Sequence, residues 1–253
     1  MTRSTLIIAC VLAGMLPTTA AALDLTLSAG VKGGISGTAV RGVPEGDPYE
    51  LNGQEYFEPP GPDLYAMFGL GGGVGGFFEL RLANIVGVEF GVFQSWDNGN
   101  GWEDKNAPNG QTLGRLTHEQ RTRALHVPIL AKASVPGLIR PTFKLNIKLV
   151  FQQKSTFDFR SDTIIVAPYN QRYTIVPSNY ALLAFTFGVE IDLGPVRVPI
   201  ELRGGYNVGF DKALKERAVA SGSPLGANFE YNGEYEGHFG IFTGIVYEYD
   251  IEL

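Results

Sequence analysis

The stretch FGIFTGIVYEYDIEL, residues 239–253, alternates with a period of two. Phe239, Ile241, Thr243, Ile245, Tyr247, Tyr249, Ile251 and Leu253 share one face, and Gly240, Phe242, Gly244, Val246, Glu248, Asp250 and Glu252 share the other. Such a period is a strand, with an apolar row that must meet either a folded core or lipid. Read backwards, the chain repeats this device. A fifth strand pairs Phe143, Leu145, Ile147, Leu149 and Phe151 against Lys144, Asn146, Lys148, Val150 and Gln152. A sixth sets Ala181, Leu183, Phe185, Phe187, Val189 and Ile191 outward, with Glu190 and Asp192 inward, and a seventh sets Val196, Val198, Ile200 and Leu202 against Arg197, Pro199, Glu201 and Arg203.

The first half follows the same rule. Leu23, Leu25, Leu27, Ala29 and Val31 oppose Asp24, Thr26, Ser28, Gly30 and Lys32; the outward row Leu64 to Leu82 opposes Tyr65, Met67, four glycines, Phe77, Glu79 and Arg81. Val86, Val88, Phe90 and Val92 form a third strand closed by Trp96, and Leu125, Val127, Ile129, Ala131 and Ala133 a fourth. Short turns are expected at Ala83-Asn84-Ile85, at Pro136-Gly137 and at Gly194-Pro195, and long connections over Thr38–Asp63, Asp97–Gln120, Lys154–Ser178 and Asp211–Gly237. In the third of these, Thr163–Val166 and Tyr173–Val176 extend the strands as a hairpin.

Alternation alone does not say which row faces inward, because a soluble sandwich buries its apolar row. Three features decide. The polar rows are glycine-rich and carry both signs: Lys132, Lys144, Lys148, Arg197 and Arg203 against Glu79, Glu89, Glu190, Glu201 and Glu248. That is the content of a narrow lumen filled by paired charges. The connections alternate short and long with the period of one hairpin, as in outer-membrane barrels. The N-terminus reads as an export signal over residues 1–22, with Arg3, an apolar Leu6–Leu16, Pro17 and Ala20-Ala21-Ala22 before Leu23. Cys10 sits too early in the apolar run to be a lipidation site, so the mature domain, 23–253, has no cysteine and no disulfide. The expected fold is all-β: an eight-stranded antiparallel up-and-down transmembrane barrel with short periplasmic turns, long extracellular loops and both mature termini periplasmic.

Composition excludes other classes. No apolar run reaches the ~18 residues of a membrane helix. A net charge of -6 without a basic block offers nucleic acid no phosphate-neutralising patch.

On these residues the chain resembles the small outer-membrane barrel proteins of the OmpX and PorT-like type. The resemblance rests on the export signal, the eight-strand rhythm, the segment Leu125–Lys132 with its internal Pro128, the restart Pro141-Thr142-Phe143 and the closing strand. It implies an outer-membrane location, contact with lipid and lipopolysaccharide, and handling by the barrel assembly machinery, for which Tyr247, Tyr249, Ile251 and Leu253 would be the signal. The family usually ends on Phe or Trp, whereas this chain ends on Leu253.

Candidate chemistry is sparse. Gly71-x-Gly73-x-x-Gly76 matches a dinucleotide fingerprint by letters, but Phe77–Leu82 is strand where the fingerprint needs a helix. The inward glycines 69, 71, 73 and 75 are expected to leave room for long side chains such as Lys144 or Arg203. Pro128 cannot donate to a ladder and is expected at a bulge near the periplasmic rim. His118, His126 and His238 share no metal-ligand spacing, so no cofactor or metal is expected. A lipid A deacylase places Ser two residues after His on a late strand; here Phe239-Gly240 follows His238. A loop constellation of His118, Asp97 and Ser95 is the remaining enzymatic layout. The first loop gathers Glu45, Asp47, Glu50, Glu55, Glu58 and Asp63 around Tyr49, Tyr56 and Phe57. It reads as a solvated acidic loop or as a surface that binds an extracellular partner. The expected function is a non-enzymatic structural or surface-interaction role in the envelope, with a narrow solute channel and a lipid A-modifying enzyme as alternatives.

Overall fold

A computed structural model of the chain describes residues 25–41, 49–51, 54–56, 66–106, 112–163, 169–213 and 233–251. The export signal, Phe57 and Leu253 lie outside them. The strands are β1 (Leu25–Val40), β2 (Tyr49–Leu51), β3 (Gln54–Tyr56), β4 (Met67–Leu82), β5 (Val86–Asn106), β6 (Thr112–Ser134), β7 (Ile139–Thr163), β8 (Tyr169–Ile175), β9 (Asn179–Asp192), β10 (Val196–Asn207) and β11 (Gly237–Ile251). Neighbours pair antiparallel in the order β6-β5-β4-β1-β11-β10-β9-β7, and a β6–β7 pairing closes the ring. β8 pairs with the upper part of β7 and continues the line of β9 after Val176–Ser178, so the wall has eight staves. Through the belt, closure gives each stave a partner on both sides, as lipid requires; only above it do β5 and β8 keep a single partner.

The two faces of the wall could hardly differ more. Ile147, Phe187 and Leu202 are more than half exposed on the outside, while Glu89, Lys144 and Glu201 are wholly buried inside. On β6 the outward apolar row runs from Ala133 to Leu125. At ~3.4 Å per residue and a tilt of ~40° this gives a belt roughly 20–25 Å tall, the height of an outer-membrane hydrocarbon zone.

The short turns gather at one end. Ala83 and Asn84 both hold left-handed backbone (φ 51° and 57°), with the Ile85 amide donating to the Leu82 carbonyl at 3.1 Å. Val135–Leu138 and Leu193–Pro195 make the other two, the latter with Gly194 at φ 84°. At the opposite end the staves continue past the belt. β5 and β6 stay paired to Asn106 and Thr112, so Trp96 does not end its strand and most of 97–120 is ribbon, not loop. Alternation vanished there because both faces are mostly polar, although the inward one is buried: the ladder persists without an apolar row to reveal it.

Two local expectations are corrected. Pro128 lies mid-strand without any bulge: Phe90 pairs Ile129 and Phe93 pairs His126 in one register, and Pro128 faces Lys148 on β7 in step. The ladder merely skips beside it. Register shifts occur instead between Arg123 and Ala124 and between Lys105 and Asn106. At Gly69, Gly71 and Gly75 of β4 the nearest constraint is the neighbouring strand, not Lys144 or Arg203. A Cβ on Gly69, Gly71 or Gly75 would collide with the carbonyl oxygens of Asn98, Trp96 or Val92, and at Gly75 also with the Phe93 ring. Close approach of the β5 backbone, where the wall curves, is what excludes side chains.

Candidate functional site

The lumen is built from the inward row of every stave. Nearest the turns, Lys132 Nζ donates to Glu79 (3.0 Å to each oxygen) and to Glu190 (2.5 Å). Arg197 joins Glu190 and Glu248, Arg81 joins Glu248 and Glu79, and Arg140 joins Asp192. Above this layer, Lys32 lies 2.6 Å from Glu89 and 2.9 Å from Glu201, while Lys144 lies 2.5 Å from Glu89 and 2.7 Å from Glu201. Arg203 closes the layer against Glu201 at 2.6 Å and stacks over Phe242 and Phe93. Two carboxylates shared between two ammoniums form a square in which each buried charge has opposite neighbours, the arrangement burial demands.

All ten charges named from sequence therefore point into the lumen, Lys148 among them, and Lys32, Arg81, Asp97, Arg140 and Asp192 join them. Lys32, Arg81 and Asp192 were visible as inward residues. Asp97 was hidden, because alternation of apolar and polar residues fails in a ribbon that is polar on both faces.

The third layer is polar and holds a cavity of about 30 Å³ walled by Ser95, His126, Lys148 and His238, room for a water or two. Ser95 Oγ donates to Asp97 Oδ2 at 2.8 Å and lies 3.0 Å from His126 Nε2. Lys148 Nζ lies 3.0 Å from His238 Nδ1. His238 Nε2 lies 3.7 Å from Asp97 Oδ1. Residues far apart in the chain thus share one carboxylate, a convergence no local spacing reveals. The group is not a nucleophile triad. Both Ser95 and Asp97 face the same nitrogen of His126, whereas a triad places them on opposite nitrogens. His118 is not part of it; it stacks on Phe157. Among the described residues no three His, Cys, Asp or Glu side chains are arranged to hold a metal ion.

The far mouth is capped. A helical turn beginning at Phe210 and the return through Gly233–Glu236 bring Phe210 and Tyr235, both almost fully buried, against Val40, Met67 and Phe157. Gln120 and Gln152 both donate to the Gly233 carbonyl, at 2.6 and 2.8 Å, and tie the cap to the wall. Nothing periodic in 208–236 announced this plug.

Beyond the cap, Arg172 grips Asp158 through two bonds of 2.5 and 2.8 Å. That hydrogen-bonded guanidinium holds the Asp158 carboxyl below its ordinary value. Tyr49 and Tyr56 take opposing register positions in the β2–β3 hairpin. Tyr247 and Tyr249 are exposed on the belt face of β11, and Ile251 is half-buried.

A closed antiparallel ring with an apolar exterior and an ion-paired interior defines a class: the small outer-membrane β-barrel proteins. No protein-family model and no curated protein matches the chain. Among solved structures it is similar to a major outer membrane protein from Thermus thermophilus, at 12% identity and a TM-score of 0.44 over 88% of this chain and 99% of that one. OprG from Pseudomonas aeruginosa is similar at 12% identity and a TM-score of 0.37, over 90% and 96%. Neisserial surface protein A is similar at 8% identity and a TM-score of 0.38, over 89% and 97%.

Proposed function

We propose that this barrel is a non-conducting, non-enzymatic envelope protein whose work is structural and done at its outer surface. The observation that carries the reading is the filled lumen: two layers of ion pairs, a polar layer with room for a water or two, and the cap of Phe210 and Tyr235. A solute would have to break buried pairs and displace the cap. Eight staves leave an interior that side chains just fill, so the narrow-channel reading has no specific feature behind it. Ser95, Asp97 and His126 face this interior, away from lipid, which speaks against a lipid A-modifying enzyme.

In this reading residues 1–22 are removed on export, and the turn end with both termini lies in the periplasm. The terminal Tyr247, Tyr249, Ile251 and Leu253 serve recognition by the assembly machinery. The loop carrying Tyr49, Tyr56 and Phe57 faces outward, where an extracellular partner would meet it. Planar-bilayer recording tests the central point. Purified barrel is expected to give no resolved single-channel steps; reproducible ion-selective steps that vanish on substitution of Lys148 or Arg203 would establish a channel instead.

A further inference from the structure

The outward face of β5–β7 changes character at a single row. On the turn side of it the wall shows Leu125 and Phe151, register partners at the edge of the belt. At the row, Trp96 on β5 lies beside Arg123 on β6, and Arg123 beside Lys154 on β7. The β6–β7 register shift creates this neighbourhood. Ala124 pairs Gln152 but Arg123 pairs Lys154, so Gln153 is the extra residue and Lys154 is turned to the exposed face opposite Arg123. Bulges commonly re-aim a side chain in this way.

The result is two cations directly cross-strand on an exposed face, a pairing that repels. The nearby acids do not relieve it. Glu119 is held by Arg121 through two 2.7 Å bonds, and Asp158 by Arg172. Among the described residues neither Arg123 nor Lys154 has an acid within ion-pair reach. Away from the belt the same face continues with Arg121 beside Thr156, then with the acidic pair Glu119 and Asp158, whose charges Arg121 and Arg172 take up.

Depth and direction limit what can fill such a site. The row lies where hydrocarbon gives way to headgroups, marked by the exposed Trp96. Its side chains face sideways along the membrane plane and not out of the mouth. An anion at that depth, facing the wall, is a headgroup phosphate, which Arg and Lys bind through charge-assisted bonds.

We propose that Arg123 and Lys154 form a docking site on the barrel wall for a phosphate of the lipopolysaccharide headgroup in the outer leaflet. The site rests on the orientation proposed above, with the long-loop end outside.

Native mass spectrometry of the folded barrel with lipid A, fully phosphorylated or enzymatically dephosphorylated, tests it. The wild-type barrel is expected to retain the phosphorylated form roughly tenfold or more in preference, as two charged hydrogen bonds imply. Arg123→Gln with Lys154→Gln abolishes that preference while the boiled and unboiled bands still differ on a gel. Equal retention of both lipids by the wild-type protein, or an unchanged preference in the double variant, overturns the proposal. Displacement of lipid A by heparin in preference to lipid A phosphate assigns the site to a soluble polyanion and overturns it likewise. Orientation is read separately: Thr156→Cys is labelled by an impermeant maleimide on intact cells. Labelling without phosphate preference removes the docking site alone, whereas absence of labelling removes the orientation and with it the outer-leaflet assignment.

Discussion

Replacing Lys144 by methionine destabilises the folded barrel by about 3–5 kcal/mol, the scale seen when one partner of a buried ion pair is removed. Lys144 Nζ sits between Glu89 and Glu201, and both carboxylates are fully buried. Without it they keep only Lys32 and the edge contact of Glu201 with Arg203. Burial then penalises two carboxylates served by too few cations. Urea unfolding in lipid vesicles, followed by the folded and unfolded gel bands, reads the loss. The companion variant Lys144→Met with Glu89→Gln recovers part of it, because the charge left unpaired is removed together with its partner. Equal losses in the single and double variants would mean that methionine fails on shape and that the ion square contributes little.

Ile147→Arg is the second large effect. Ile147 is 56% exposed on the outside of β7, in the middle of the belt. On a soluble protein a surface substitution of this kind falls within about ±0.5 kcal/mol. In lipid an arginine at mid-depth costs about 2–4 kcal/mol, falling to about 0–1 near the interface. Leu125→Arg, at the row where the belt meets Trp96 and Arg123, is therefore expected to be much milder than Ile147→Arg. The ratio between the two is the prediction. Equal, near-zero costs in vesicles would mean that the outward rows face water.

These two residues also mark what the sequence could reveal. Ile147 and its neighbour Lys148 differ in every property that a period of two can register, so the strand, its faces and the sign of its lumen charges were legible. The short turns were legible for the same local reason, since Ala83-Asn84 and Gly194-Pro195 interrupt an apolar row abruptly. Illegible features depend on something no window of residues contains. The β5–β6 ribbon above the belt is polar on both faces, so a backbone ladder runs on without a pattern to report it. The cap joins Phe210 and Tyr235 to residues from three other staves. The Asp97 group joins β5, β6, β7 and β11 through lumen closure. Pro128 misled for a subtler reason: a missing donor needs a bulge only when the ladder cannot skip, and between β5 and β6 it skips in register. The one bulge that shapes a surface, at Gln153, carries no local signature in the letters Gln152-Gln153-Lys154.

Location and closure can be examined together in one gel. Envelope-purified protein, fractionated between inner and outer membranes, is loaded with and without boiling. An outer-membrane species whose mobility changes on boiling is the predicted result, because a closed ladder with a paired lumen resists detergent until heated. A soluble periplasmic species with one mobility under both conditions would contradict the barrel and reverse the assignment of its inside and outside faces.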